Sequence, residues 1–322
     1  MEKTLFILGG TGFIGQEVVN QSVQAGWQVK ALVRTEEGAA KLQRVGAYPV
    51  VGNIYQPDTW ITEARNSTAL IDLTQPKLPK RISRSAIKGL SAERQAMMRA
   101  ILEALQSLAA NERPILFTVS GADDLQPDAQ GMISDRSPLR SRLYGFSNIG
   151  IPVRRLVETS RLEAVFVYFG NLVYGPGKVF ADQFIAGLKK GSAHVIGKGT
   201  NHLPLVHVTD AARALIHLAN LPQPEVSRRS FIVMDGSDTT QRELLNDTAA
   251  LMGVKRPGSV PVWLAAVIAG TIAIETITLD VHTDPSALLA TRFHFLYPSH
   301  KQGVPATLSA LGLTQPSNPE RI

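Results

Sequence analysis

No cysteine occurs among the 322 residues, which excludes disulfides, thiolate metal sites and a cysteine nucleophile. Charge is sparse and scattered, 33 basic against 27 acidic side chains for a formal +6. The densest basic cluster (Lys77, Lys80, Arg81, Arg84) has no interleaved aromatic residues. That pattern argues against a nucleic-acid surface and leaves a mild attraction for anionic ligands. No His-Glu-x-x-His pattern exists, and His194, His202, His282, His294 and His300 share no metal-ligand spacing, so no metal is expected. The first strand pattern begins at Thr4, which leaves no room for a signal peptide and makes the cytoplasm the expected compartment. One long apolar run is present, Val260 to Ile274. It is shorter than the roughly 20 residues that span a bilayer, carries Pro261 near its start and is followed by Glu275. A buried helix of a C-terminal lobe is expected there, with a membrane-surface or partner-binding helix as the alternative.

What is present begins at once. Thr4 to Leu8 is apolar after its first residue and meets Gly9-Gly10-Thr11-Gly12-Phe13-Ile14-Gly15. An amphipathic stretch, Gln16 to Ala25, follows. Strand, tight turn and helix N-terminus in this order form a phosphate cradle. Gly9 permits the turn, Gly12 lets the backbone approach a pyrophosphate, and Gly15 allows close helix–strand packing. The bare amides and positive end of the helix would hold the anion. Gly9, Thr11, Gly12, Phe13, Ile14 and Gly15 are therefore cofactor-binding candidates, with Leu73 at the end of the fourth strand pattern. A second strand, Trp27 to Val33, ends in Arg34, where an arginine can pair with the 2′-phosphate of NADP and a carboxylate would accept from the ribose of NAD. Arg34 favours NADP(H), while Glu36 and Glu37 keep NAD in competition.

Strand and helix patterns alternate through the first two-thirds, which predicts an α/β fold, a Rossmann-type doubly wound parallel sheet with a smaller C-terminal substrate lobe. The expected strands are Leu5–Leu8, Val29–Val33, Pro49–Val51, Ala69–Leu73, Ile115–Val119 and Val165–Phe169. The expected helices are Gly15–Ala25, Gly38–Val45, Pro57–Ala64 and Ala92–Ala109. Residues 1–170 are assigned to the dinucleotide-binding core and 171–322 mainly to the substrate lobe, with a strand near 230–234 returning to the sheet. Gln315 to Ile322 is expected to be a frayed tail.

On these motifs the chain resembles the extended short-chain dehydrogenase/reductase family of nucleotide-sugar epimerases, dehydratases and reductases. Gly46 to Asn53 resembles the family's third strand and adenine-contacting residue, with Asn53 in place of the usual aspartate and still able to accept from the adenine amino group. Asn171 to Gly177 resembles the loop after the sixth strand. Leu205 to Ala214 resembles the histidine-valine-x-aspartate helix start, where His207 takes a structural part. The resemblance implies a serine at the end of the fifth strand, here Ser120, and a Tyr-x-x-x-Lys pair. Tyr144 sits in the tyrosine motif, but Asn148 stands where the lysine should be, and no lysine occurs between Lys88 and Lys178. Sliding the motif gives Gly150 and Arg154, which breaks the pair differently. Pro152 would interrupt a helix begun at Tyr144, so that helix starts late or kinks. Arg140, Arg142, Arg154 and Arg155 crowd this window as electrostatic substitutes or as a solvated face. Asp123 and Asp124 after Ser120, with Asp128, read as a polar loop, with help in substrate binding as the alternative.

Ser120 and Tyr144 are the catalytic candidates. The expected function is NADP(H)-dependent reduction of a small, largely apolar carbonyl or enone, where two hydrogen-bond donors stabilise the developing oxyanion. The alternatives are a non-catalytic NADP(H)-binding sensor or assembly protein and a cofactor-retaining epimerase or isomerase. The expected partner is a small-molecule substrate.

Overall fold

Leu5 and Ile7 pack into one apolar cluster while Phe6 and Leu8 pack into another. This period-two split of a single strand shows that it lies in a sheet covered on both faces. The computed structural model describes residues 3–313, and the expected tail Gln315–Ile322 lies outside them. The strands of the central sheet are β1 (Thr4–Leu8), β2 (Gln28–Val33), β3 (Tyr48–Val51), β4 (Ala69–Asp72), β5 (Ile115–Gly121), β6 (Ala164–Phe169) and β7 (Ser230–Val233). Their order is β7-β6-β5-β4-β1-β2-β3, and every pairing is parallel. This is the doubly wound order, and its direction reverses between β1 and β4, where such sheets bind ligands at the carboxyl ends of the strands.

Helices cover both faces. The helix α1 (Phe13–Gln24) follows the glycine loop, and α2 (Glu36–Arg44) is capped by Thr35 Oγ1, which accepts from Gly38 N. The long α3 (Arg84–Ser107) starts eight residues before the expected Ala92. Ser83 caps it, and its Ile87, Leu90, Arg94, Met98, Ile101 and Leu105 form the buried stripe. The helix α4 (Ser147–Ser160) begins late, in keeping with Pro152 in its interior. Proline has no N–H for the carbonyl four residues back, and that carbonyl, Asn148 O, instead accepts from Ser91 Oγ of α3 at 2.7 Å. The expected helix Pro57–Ala64 is two short pieces, Pro57–Thr59 and Ile61–Ala64.

After β6 the chain builds a third apolar cluster around Tyr174, Phe180, Leu205, Leu244 and Leu308. It also sends α5 (Val208–Asn220) back onto the α1 face. The apolar run 260–274 is a buried helix only in its second half. Gly270, at φ +94°, breaks it into α6 (Val262–Ala269) and α7 (Thr271–Ile277). A Cβ at Gly270 would lie 2.3 Å from Ile82 O, so the chain can pass there only as glycine. Ile272, Ile274 and Thr276 of α7 are buried, whereas α6 buries Ala265 and leaves Trp263, Val267 and Ile268 exposed.

Candidate functional site

The glycine loop closes on itself through Gly12 N donating to Gly9 O at 2.9 Å and Gln16 N donating to Gly12 O at 2.8 Å. Gly9 sits at φ +84°, and a Cβ there would meet the Leu73 carbonyl at 2.9 Å. The loop thus lies directly against the end of β4. A Cβ on Gly15 would lie 2.1 Å from Gly9 O, so α1 seats on the loop only because that residue has no side chain. At Gly12 a Cβ would meet nothing nearer than Gly9 O at 3.2 Å. No side chain caps α1, so its first amides, at Phe13 and Ile14, are left for an anion, and a pyrophosphate fits the cradle. The ring of Phe13 also packs against Gly175 and Gly177, where added Cβ atoms would meet it at 3.4 and 3.1 Å.

Arg34 is exposed just beyond β2. Of the two competing carboxylates, Glu36 is exposed and Glu37 is turned away along α2 to Lys41 at 2.7 Å, which lowers its pKa. Asn53 Oδ1 accepts from Tyr55 N at 3.1 Å, which leaves its amide N–H groups as the more available part of the side chain. Gly9 to Gly15, Leu73, Arg34 and Asn53 therefore lie along the carboxyl edge formed by β1 to β4.

A cavity of about 250 Å³ opens at the carboxyl ends of β5 and β6. Its walls are largely apolar, from Val119, Phe146, Ile149, Val153, Phe166 and Phe169. Ser120 lines it, and Ser120 Oγ donates to Asp124 Oδ2 at 2.6 Å. Burial, reinforced by the neighbouring Asp123 charge, pushes the Asp124 carboxyl up to about 8, so it holds its proton at neutral pH. Gly150, in the first turns of α4, packs on this pair. A Cβ there would lie 2.2 Å from both Ser120 Oγ and Asp124 Oδ2.

One helical turn on, Arg154 also lines the cavity. Its Nη1 donates to Tyr168 Oη at 2.8 Å and to Ser230 Oγ at 3.2 Å, its Nε donates to Glu158, and its guanidinium stacks 3.3 Å from the Phe166 ring centre. A second arginine, Arg94, is buried on the cavity wall and paired with Asp72, while its Nη1 has no partner.

Tyr144 is not brought to this cavity. Because α4 starts only at Ser147, Tyr144 lies in the preceding loop, its N–H donating to Ser147 Oγ at 2.6 Å and its ring 5.5 Å from the Arg140 guanidinium. Burial raises its pKa, the opposite of what a phenol needs to act as a base. The place opposite Ser120 belongs to Gly150, and Asn148 turns its side chain to Gly145 O.

Asp123 and Asp124 are not a solvated loop. Asp123 accepts from Phe146 N, Thr276 Oγ1 and Asn171 Nδ2, and so ties α7 and the β6 loop to the end of β5. Asp128, by contrast, is exposed and closes a turn onto Gln130 N and Met132 N. Arg94 is the residue that sequence reasoning missed, and Asp124 entered it only as an alternative substrate contact, not as the partner of Ser120. The signal for Arg94 is an arginine at i+4 on the apolar stripe Leu90–Arg94–Met98, and for Asp124 it is a carboxylate four residues beyond the strand serine. His207 caps α5 through Nδ1, which accepts from Thr209 N, and burial lowers its pKa to about 4, leaving it neutral. Among the described residues no three His, Asp or Glu side chains converge as metal ligands.

Comparison with known proteins agrees with this geometry. The NAD dependent epimerase/dehydratase family matches residues 5–233. The uncharacterized protein C2A9.02 of Schizosaccharomyces pombe is 30% identical over 224 residues, 66% of this chain and 69% of that one. The ceramide reductase of Caulobacter vibrioides is 24% identical over 249 residues, 77% of this chain and 70% of its own. The human epimerase family protein SDR39U1, solved with NADPH, superposes with a TM-score of 0.78 at 19% identity, covering 95% of this chain and 99% of that one, a likeness of fold. With the glycine cradle, the strand order and the family match in agreement, the chain belongs to the NAD dependent epimerase/dehydratase family and is built for a nicotinamide dinucleotide.

Proposed function

We propose that the protein is an NADP(H)-dependent reductase of a small, largely apolar carbonyl or enone compound, with Ser120 at the substrate oxygen and Asp124 as the proton store behind it. The observation that carries this reading is the Ser120–Asp124 pair, a hydroxyl on the wall of an apolar cavity backed by a carboxyl that stays protonated near neutrality. Reduction adds a hydride to carbon and a proton to oxygen. The reduced nicotinamide, when bound, supplies the hydride. With Asp124 protonated, its carboxyl O–H donates to Ser120 Oγ across the same 2.6 Å contact, which frees Ser120 Oγ–H to meet the charge developing on the carbonyl or enolate oxygen. As its proton passes to that oxygen, Ser120 takes one from Asp124, leaving a carboxylate that regains its proton from solvent. The charges of Arg154 and Arg140 favour that carboxylate and so ease the transfer. The apolar walls exclude water and suit an apolar substrate, and the Caulobacter relative named ceramide reductase supports reduction over epimerisation. Exposed Arg34, with Glu37 engaged elsewhere, supports NADPH over NADH.

NADPH oxidation across a panel of apolar ketones, aldehydes and enones tests the reading. Turnover that collapses in Ser120→Ala at unchanged NADPH affinity is expected. Tight NADPH binding with no hydride transfer to any member would replace the reductase with a sensor or assembly protein, a reading that the absence of a Tyr–Lys pair already favours over an epimerase.

A further inference from the structure

We propose that the face formed by α6 and the basic segment 77–88 docks on an anionic lipid bilayer. Trp263, Val267 and Ile268 of α6 are 68%, 58% and 71% exposed, and Val260 to Ile274 contains no charged side chain. Beside them, Lys77, Lys80, Arg81, Arg84 and Lys88 are all exposed, with no acidic residue between Leu73 and Ala92. Backbone hydrogen bonds join the two parts, from Ile82 N to Ala269 O at 2.9 Å and from Ile272 N to Ile82 O at 3.2 Å. Ile82, and with it the neighbouring Arg81, is thereby held at the C-terminal end of the apolar helix, and Arg84 is tied to Glu275 just beyond it. Glu275 is the acidic residue at this junction, and it is engaged by Arg84 Nη2 and Gly145 N.

Apolar side chains including a tryptophan, edged by fixed cations, match the boundary between acyl chains and acidic headgroups. Among the described residues no helix is long and apolar enough to cross a membrane, so the contact lies in the plane of the surface. A second copy meeting this face about a two-fold axis would set the basic segments against each other. Leu78, in the same basic segment, is 48% exposed and lines the Ser120 cavity. Resting on the reductase reading, an apolar substrate dissolved in the bilayer would then enter from the docked side.

The test is sedimentation of the full chain with vesicles of phosphatidylcholine plus phosphatidylserine, against phosphatidylcholine alone. Binding to the anionic vesicles is expected, weakened by salt, with a blue-shifted tryptophan emission. That emission reports α6, because of the three tryptophans Trp27 and Trp60 are buried. Trp263→Ser with Ile268→Ser, and separately Lys80→Glu with Arg81→Glu, should each lower binding by at least about tenfold. Both variants should keep wild-type NADPH affinity and wild-type turnover of a water-soluble substrate, so that failure of docking and failure of the reductase reading are seen apart. No binding to anionic vesicles, or equal binding to both kinds, overturns the proposal. A wild-type dimer that Trp263→Ser turns into a monomer, without vesicle binding, overturns it in favour of a second copy.

Discussion

The loop after β1 and the wall after β5 lie on the same edge of one sheet, yet they are built on different logic. At the first, Gly15 is required by its contact with Gly9 O and Gly9 by the adjacent end of β4, Gly12 is left open, and the helix end is left without a side-chain cap. At the second, the residues that converge on the cavity come from β5, α3, α4, β6 and α7, and neither Tyr144 nor a lysine lines it. The difference teaches that the glycine cradle is a local device, whereas the cavity wall is assembled from distant parts of the chain. Here a glycine stands opposite Ser120 and a buried acid stands behind it.

The sharpest way to break the comparison is at Gly12. A Cβ there meets only Gly9 O at 3.2 Å, so Gly12→Val should leave a folded protein while filling the space a pyrophosphate needs. NADPH binding should vanish by fluorescence titration while circular dichroism is unchanged; retained binding would displace the cradle from this loop. Gly15→Val should instead damage folding, since its first side-chain atom would already overlap Gly9 O.

At the cavity, Ser120→Ala should lower the rate about a hundredfold, as loss of one oxyanion donor commonly does. Tyr144→Phe should stay close to wild type in steady-state turnover. The reverse ranking would return the chemistry to Tyr144.

Asp124 adds a pH signature. Its folded pKa of about 8 lies above its ordinary value of 3.8, so the folded state binds the proton more tightly than the unfolded chain. Its contribution to stability is therefore present at low pH and declines as pH rises from about 4 to about 8. Reduction should decline through pH 8 as the acid is lost. Asp124→Asn should remove that limb of the profile and melt higher than the wild type above pH 8. A profile unchanged by the substitution would exclude Asp124 as the proton store.

Smaller effects sharpen the cofactor half and the scaffold. Arg34→Ala should cost NADPH about tenfold in affinity, or about 1.4 kcal/mol, and leave NADH nearly unaffected; calorimetry with both nucleotides decides. Ser91→Ala removes the hydroxyl that satisfies Asn148 O above Pro152 and should lower stability by about 1 kcal/mol in urea unfolding.

By itself the sequence determined the parallel sheet, the glycine cradle and a disturbance of the helix at Pro152, because each is written in neighbouring residues of the chain. Alternation in Leu5 to Leu8 assigns side chains to two buried faces, glycine spacing assigns the turn, and Pro152 marks a helix that starts late or kinks after Tyr144. Tertiary structure alone decided the rest. Asp123 and Asp124 look like a wet loop until Asn171 and Thr276, from distant parts of the chain, close over them. Arg94 is an ordinary helical arginine until Asp72 meets it in the core. The apolar run 260–274 reads as one buried helix until Gly270 lodges against Ile82 and turns its first half outward. Burial sets the charge state of a carboxyl and the fate of an apolar face, and burial depends on what arrives from elsewhere in the chain.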